Sequence, residues 1–534
     1  MKKMNRIIIF CFITLFLLYG AACTRPAGQV EGSLPRGIPE AEGVSSQGII
    51  DFLDAIAKSR HEFHSFMFLR HGRVIAEGWW NPYSPDLKQT MYSLSKSFTS
   101  TAVCFAVSEK RLTINDPVVS FFPEYLPDSV TPFLAGMKIK DLLCMAAGQD
   151  RDQTHIIVVN DSNWVKSFLA VPVVNTPGTT FRYNSLASYM LAAIVQKVTG
   201  MKETDYLAPR LFEPIGIKDL DWEVDPAGRN IGGWGLRIRT EDMARFGQFY
   251  LQKGKWNDKQ LLPEAWVEEA TTAKIEQMPG ISGAAKDTND WAQGYCYQFW
   301  RCRHQAFRGD GAYGQFIVVM PDQDAVVAIT SESPNLQNEL NLVWKHLLPA
   351  MHKDPLPTDK TTAERLKRRL ASLFLPLPQN GMDPPLSSAI SGKVFSFEQD
   401  ERHLENMLFR FMKESCCVTM QIGHSTYSLM FGAGKWITGQ TTKPGPDLFL
   451  GAKAHFAGLS PSRIAGCYNW KDKHTLELVL RYLESPHRET ITCRFDQGGI
   501  QVTIQQSNTP EKKQPALIGK TRRVNQKIFL SGDR

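Results

Sequence analysis

Ser93 and Lys96 stand three apart in Met91-Tyr92-Ser93-Leu94-Ser95-Lys96-Ser97-Phe98. Apolar Phe98, Ala102 and Phe105 mark one face of the helix this segment opens, so the hydroxyl and the amine are neighbours on it. A serine hydroxyl is a weak nucleophile near neutral pH and needs a base beside it. A lysine serves when burial lowers its pKa. A helix N-terminus also presents N–H groups to a developing oxyanion. Alone, S-x-x-K is a weak signal, more often an ordinary capped helix with a solvated lysine.

Three further segments add weight. Thr176-Pro177-Gly178-Thr179-Thr180-Phe181-Arg182-Tyr183-Asn184-Ser185 leads into a helical run over 186–198. It places a phenol that can pass a proton to a leaving group. Gly309-Asp310-Gly311-Ala312-Tyr313-Gly314-Gln315 leads into a strand, and glycines let backbone run close to substrate and offer an N–H. Gly232-Gly233-Trp234-Gly235 precedes Thr240-Glu241-Asp242, where Thr240 reads as an N-cap with acids in the first turn. Trp234 either lines a pocket or packs in the core.

In this order the segments resemble the serine β-lactamase and penicillin-binding-protein superfamily, in its class C branch. That branch includes class C β-lactamases, D,D-peptidases, family VIII carboxylesterases and 6-aminohexanoate-dimer hydrolases. The resemblance covers roughly residues 38–333, with support from Leu112-Thr113-Ile114-Asn115-Asp116-Pro117-Val118 and from 139–148. It implies that Ser93 is acylated, that Lys96 is its base or proton relay, and that Tyr183 is the third catalytic residue. It also implies an oxyanion hole from the backbone N–H of Ser93 and Ala312. Ser185, Trp234, Gly311 and Tyr313 would touch substrate. The family's K-T-G or H-x-G motif falls on Gly309-Asp310-Gly311, which lacks the basic first residue that helps hold a substrate carboxylate. That weakens the β-lactamase and D,D-peptidase readings. Arg308 is one position away, but neighbouring strand residues point to opposite faces. Gly-Ala-Tyr-Gly-Gln more resembles the esterase and aminohexanoate-hydrolase members. The expected activity is therefore an esterase or amidase acting through an acyl-enzyme on a small ester, amide or peptide. The alternatives are a D,D-peptidase or β-lactamase, and a non-catalytic binder, against which the intact Ser93, Lys96 and Tyr183 set argues.

The expected fold that positions these residues is α+β: an antiparallel sheet flanked by helices, with an inserted helical lobe, followed by a small all-β C-terminal domain. A helix at 47–59 precedes a hairpin of 66–69 and 74–76 around Gly72, and 316–320 with 325–329 form another hairpin. Strands thus open and close the body, with helices between. Residues 41–351 form this body, and 352–390, rich in proline and charge, read as a linker with one helical piece at 363–373. Short apolar runs at 394–397, 407–412, 418–422, 427–431, 464–470, 475–482, 490–495 and 500–504 give a β sandwich or barrel over 391–506. It is read as a ligand binder, an active-site rim or a spacer. The basic stretch 507–534 reads as a solvated tail.

A chain of 534 residues exceeds one hydrophobic core, and 22% charged residues are ordinary for a globular protein. The net charge of +7 forms no basic stripe with aromatics, which argues against nucleic-acid binding. Lys2, Lys3 and Arg6, an apolar run at 7–19 and Gly20-Ala21-Ala22-Cys23 read as a signal peptide over 1–22. The cysteine resembles that of a bacterial lipobox, although Gly20 replaces the usual Leu. The resemblance implies lipidation at Cys23, a tether over 23–40 and a periplasmic or outer-membrane lipoprotein of a Gram-negative bacterium, held to the membrane by its lipid. Cys104 and Cys144 lie in apolar contexts and read as buried thiols. Pairing of Cys296 with Cys302 is left open. Without C-x-x-C or H-E-x-x-H, no metal and no cofactor is expected.

Overall fold

The computed structural model describes residues 33–378, 384–398, 402–449, 451–510 and 515–522. The signal segment and Cys23 lie outside these residues.

A six-stranded antiparallel sheet is built from both ends of the body. Its order is Arg73–Trp79, Glu62–Arg70, Ala325–Glu332, Gln315–Met320, Phe307–Gly311 and Trp300–Arg301. Phe66 pairs with Ile329 and Phe68 with Val327, so the first long strand lies beside the last. The near-continuous apolar runs follow from burial on both faces. Alternation sends Phe66, Phe68, Val318 and Val327 into one core with Ile49, Phe52 and Leu53 of helix Ser46–Ala57. Met67, Leu69, Ile317, Val326 and Ala328 enter a second core with Phe98, Met243 and Phe246. That second core continues into the helical lobe.

The helix Ser95–Ser108 runs through the middle of this core, with twelve of its positions buried. Several of its hydroxyls are tolerated because they find partners, although that of Ser100 does not. Ser97 Oγ donates to the Gln298 carbonyl at 2.8 Å, and Thr99 Oγ1 to the Gly232 carbonyl at 2.9 Å. Thr101 Oγ1 lies 2.7 Å from the Tyr250 hydroxyl. Thr240 is not the N-cap of helix Thr240–Leu251. That place belongs to Arg239, whose N–H donates to Asp242 at 3.1 Å. The Thr240 hydroxyl instead meets Ser65 at 2.7 Å, beneath the sheet.

The stretch after 351 is held against the body, unlike the linker its prolines suggest. Helix Lys360–Ala371 places Leu366 in the first core, and Leu373 and Leu375 follow it there. Helical spacing of leucines outweighs a charged, solvated opposite face.

The C-terminal region is a ten-stranded sheet from Val394–Phe397 to Leu517–Arg522. Gly432 and Ala433 of Ser425–Ala433 also pair with Cys467 and Tyr468 of Ser462–Trp470, which curls the sheet towards a barrel. Inward residues such as Phe409, Val418, Leu478 and Ile491 form a third core. Two strands escape the sequence pattern, Ile437–Thr441 and Leu517–Arg522. The latter lies inside the stretch read as a basic tail, yet it joins Val394–Phe397 to Gly499–Gln506. Backbone pairing between two strands, rather than an apolar run, holds it there.

Ion pairs and hydrogen bonds join barrel and body. Arg481 Nη1 lies 2.6 Å from Glu62, Arg488 Nη1 lies 3.0 Å from Glu332, and Arg237 Nη2 lies 2.6 Å from Asp221 and 3.1 Å from the Ser460 carbonyl. Cys104 is buried and Cys144 half-buried, and both Cys296 and Cys302 are free thiols.

Candidate active site

Ser93 sits in a 3-10 turn, Tyr92–Leu94, just ahead of the α-helix that begins at Ser95. Tyr92 before it has φ 46°, left-handed backbone that a bulky residue rarely adopts. The turn lifts the Ser93 hydroxyl out of the helix, towards Lys96. Lys96 Nζ lies 3.0 Å from Ser93 Oγ, 3.2 Å from Ser185 Oγ and 2.6 Å from the Gly233 carbonyl. Gly233 comes this close because it has no side chain: a Cβ there would stand 2.6 Å from the Ser185 carbonyl.

Lys96 is 1% exposed. Burial pushes its pKa from 10.5 down to about 7, against the raising influence of Asp152 and Asp310. A neutral amine keeps two N–H donors and one lone pair. The Gly233 carbonyl only accepts, so the lone pair is left for a hydroxyl. Burial drives the Tyr183 phenol well above the usual range, against the lowering influence of the nearby Ser93 hydroxyl. The phenol therefore stays protonated at neutral pH and acts as a donor. Its ring stacks on Trp300, with centroids 5.8 Å apart, and lies 5.1 Å from the Lys96 ammonium.

A pH profile follows from this assignment. kcat/KM towards an ester reporter is expected to rise with pH through about 7, as Lys96 loses its proton. It should then level off above roughly pH 8, with no falling limb from Tyr183 before roughly pH 10. A profile flat between pH 5 and 9 would remove Lys96 as the base.

The second wall is strand Phe307–Gly311 and the turn after it. Among the described residues, no protein acceptor takes the N–H of Ser93 or of Ala312. Gly309 and Gly311 face the nucleophile turn: a Cβ on Gly311 would stand 2.2 Å from the Met91 carbonyl. Gly311 thus serves close backbone packing. Arg308 is fully buried and held by Asp310 at 2.8 Å, with its guanidinium 4.2 Å from the Trp291 ring and 5.4 Å from Trp300. It supplies no free cation to a ligand.

Of the remaining expected contact residues, Ser185 is part of the Lys96 cluster. Trp234 is 5% exposed and packs between Trp164 and Phe449, the second of these carried in from the barrel. Packing is therefore the role the structure gives it. Tyr313 is half-buried and its ring lies at right angles to that of His487, with centroids 4.5 Å apart. His487 and Glu332 carried no signal in the sequence, since their partners lie hundreds of residues away.

A family model described as Beta-lactamase matches residues 59–347, more than half of the chain. The chain belongs to that family. A 6-aminohexanoate-dimer hydrolase from Paenarthrobacter ureafaciens is 24% identical over 292 residues, covering 51% of this chain and 73% of that protein. Protein flp of Staphylococcus aureus (strain MW2) is 26% identical over 140 residues, covering 25% of this chain and 28% of flp. Among solved structures, the octameric penicillin-binding protein homologue from Pyrococcus abyssi aligns with a TM-score of 0.45 at 14% identity, over 89% of this chain and 99% of that one.

Proposed function

We propose that this chain is a serine hydrolase that cleaves esters or amides through an acyl-enzyme on Ser93. The observation that carries the reading is a buried amine, Lys96, 3.0 Å from the Ser93 hydroxyl, with its pKa brought down to about 7. The amine removes the proton as Ser93 Oγ attacks the carbonyl carbon. The N–H groups of Ser93 and Ala312 hold the oxygen that becomes negative. Tyr183 gives its proton to the leaving oxygen or nitrogen and recovers one from the Lys96 ammonium. Water then attacks the acyl carbon by the same proton route and frees Ser93. The kinship with a 6-aminohexanoate-dimer hydrolase supports a hydrolytic activity. Gly309 stands where the β-lactamase and D,D-peptidase pattern carries its basic residue, and Asp310 follows it, which disfavours substrates that need a carboxylate held there.

The test is covalent. A fluorophosphonate should leave one adduct, mapped by mass spectrometry to the peptide bearing Ser93 and absent from Ser93→Ala. Turnover should appear on p-nitrophenyl esters or amino-acid amides and not on nitrocefin. Full reaction of the Ser93→Ala variant would end the reading. Nitrocefin hydrolysis would move it to a β-lactamase.

The N-terminal segment ending at Cys23 supports export and lipid anchoring of the hydrolase body at about 41–351 and of the barrel, whose last strand is Leu517–Arg522. Radiolabelled palmitate incorporated by the full chain and lost in Cys23→Ser is the expected result.

A further inference from the structure

We propose that His487, on the tip of a barrel hairpin, is a positioning residue that holds both halves of the oxyanion hole through Tyr92 and Tyr313. This rests on the serine-hydrolase reading above.

The hairpin joins Thr475–Tyr482 to Arg488–Asp496, and its tip reaches the residues just before the nucleophile. The Gln89 side-chain amide donates to the Leu483 carbonyl at 2.5 Å, and the Thr90 N–H donates to the Glu484 carbonyl at 2.9 Å. The tip thus pairs with the short strand Gln89–Thr90 and fixes the start of the nucleophile turn. His487 completes the attachment. It is 0% exposed, with Nε2 lying 2.7 Å from the Tyr92 hydroxyl and Nδ1 lying 2.7 Å from Glu332 Oε1. Arg488 Nη1, at 3.0 Å, holds the other oxygen of the same carboxylate.

Glu332, held below the usual carboxylate range by His487 and Arg488, accepts from Nδ1–H. Nε2 and the Tyr92 hydroxyl share the second hydrogen bond. The result is a buried relay, Tyr92 to His487 to Glu332, in which every polar atom of the imidazole is used.

Its position gives it a purpose. Tyr92 precedes Ser93 and carries the unfavourable φ of 46° that turns the hydroxyl outward. Tyr313 follows Ala312, also has positive φ, 65°, and its ring lies 4.5 Å from the His487 ring and 5.7 Å from the Tyr92 ring, centroid to centroid. One imidazole therefore touches the neighbour of each N–H proposed for the oxyanion. Strained backbone of this kind persists only where its surroundings over-determine it, and oxyanion donors act only at a fixed place. The barrel, which contributes no reacting group, supplies that constraint.

The experiment compares variants that imitate one imidazole nitrogen at a time. In His487→Gln the amide reaches the Nε2 position and keeps the Tyr92 bond. In His487→Asn it reaches only the Nδ1 position and keeps the Glu332 bond. Tyr92→Phe removes a single hydroxyl and keeps the ring. With p-nitrophenyl butyrate, Tyr92→Phe and His487→Asn are expected to lose about 10- to 30-fold in kcat with KM changed less than about threefold. The affinity of phenylboronic acid, which becomes tetrahedral on the serine, should weaken by the same factor. His487→Gln, which keeps the Tyr92 bond but loses the ring against Tyr313, should fall between wild type and His487→Asn on all three measures.

The inference is overturned if folded Tyr92→Phe and His487→Asn keep kcat and boronate affinity within about twofold, or if the change is confined to KM or the melting temperature. Failure of the underlying reading looks different: the wild-type chain itself would form no fluorophosphonate adduct on Ser93.

Discussion

Replacing Lys96 with Met is expected to lower kcat/KM by at least about a thousandfold while making the protein more stable at pH 6. The two effects share one cause. An ammonium that is 1% exposed has given up its hydration for two hydroxyls and one carbonyl. A shift from 10.5 to about 7 corresponds to a penalty of at most about 5 kcal/mol. Methionine fills similar volume without that penalty, but it leaves the Gly233 carbonyl and Ser185 hydroxyl without their donor. That should take back about 1–3 kcal/mol, for a net gain of at most about 2–4 kcal/mol.

The pH dependence gives the sign. Between pH 7 and 10.5 the folded chain binds less proton at this site than the unfolded chain. Stability therefore rises with pH across that window, and the cost is fully present below pH 7. Urea denaturation at pH 6 and pH 10 should show the advantage of Lys96→Met shrinking towards the higher pH. A variant less stable than wild type at pH 6 would mean that hydrogen bonds to the ammonium exceed its desolvation.

That trade-off also shows where reading the sequence succeeds and where it stops. Ser93, Lys96 and Tyr183 are legible because the fold uses local devices to present them: a turn, a helix, a loop before a helix. The body sheet is legible because strands such as Gln315–Met320 are apolar on both faces, and few other elements of that length are. By contrast, His487 lies 395 positions from its partner Tyr92. Ser485-Pro486-His487 looks like any hairpin tip, and nothing local distinguishes a histidine that seats in another part of the fold. The docking of helix Lys360–Ala371 on the body is obscured by its charged face, and Leu517–Arg522 by being a strand held by neighbours more than by its own side chains. Trp234 shows the same difficulty from the other side. An indole beside a glycine-rich segment looks like a pocket wall until Phe449 arrives from the barrel and closes over it.

Gly311→Ala should lower kcat by about a hundredfold and destabilise the fold by about 1–3 kcal/mol, an effect far larger than one methyl group normally has. The new Cβ would stand 2.2 Å from the Met91 carbonyl and 2.8 Å from the Gln315 Cβ, so backbone has to move by about 1 Å to reach ordinary contact. The Met91 side of the contact cannot easily yield. Its N–H is bonded to the Leu236 carbonyl at 2.8 Å, and Tyr92 beyond it is fastened to His487. The strand end must therefore retreat, taking with it Ala312, the next residue and the second donor to the oxyanion. Loss of one such donor is worth about a hundredfold or more in kcat. Gly309→Ala is the matched control, because its Cβ would meet Leu94 Cγ at 3.2 Å and Ser97 Oγ at 3.3 Å, side-chain atoms that can shift by a few tenths of an ångström. It should stay within about tenfold of wild type in kcat. If Gly309→Ala proved the more damaging of the two, the oxyanion site would have to be sought away from Ala312.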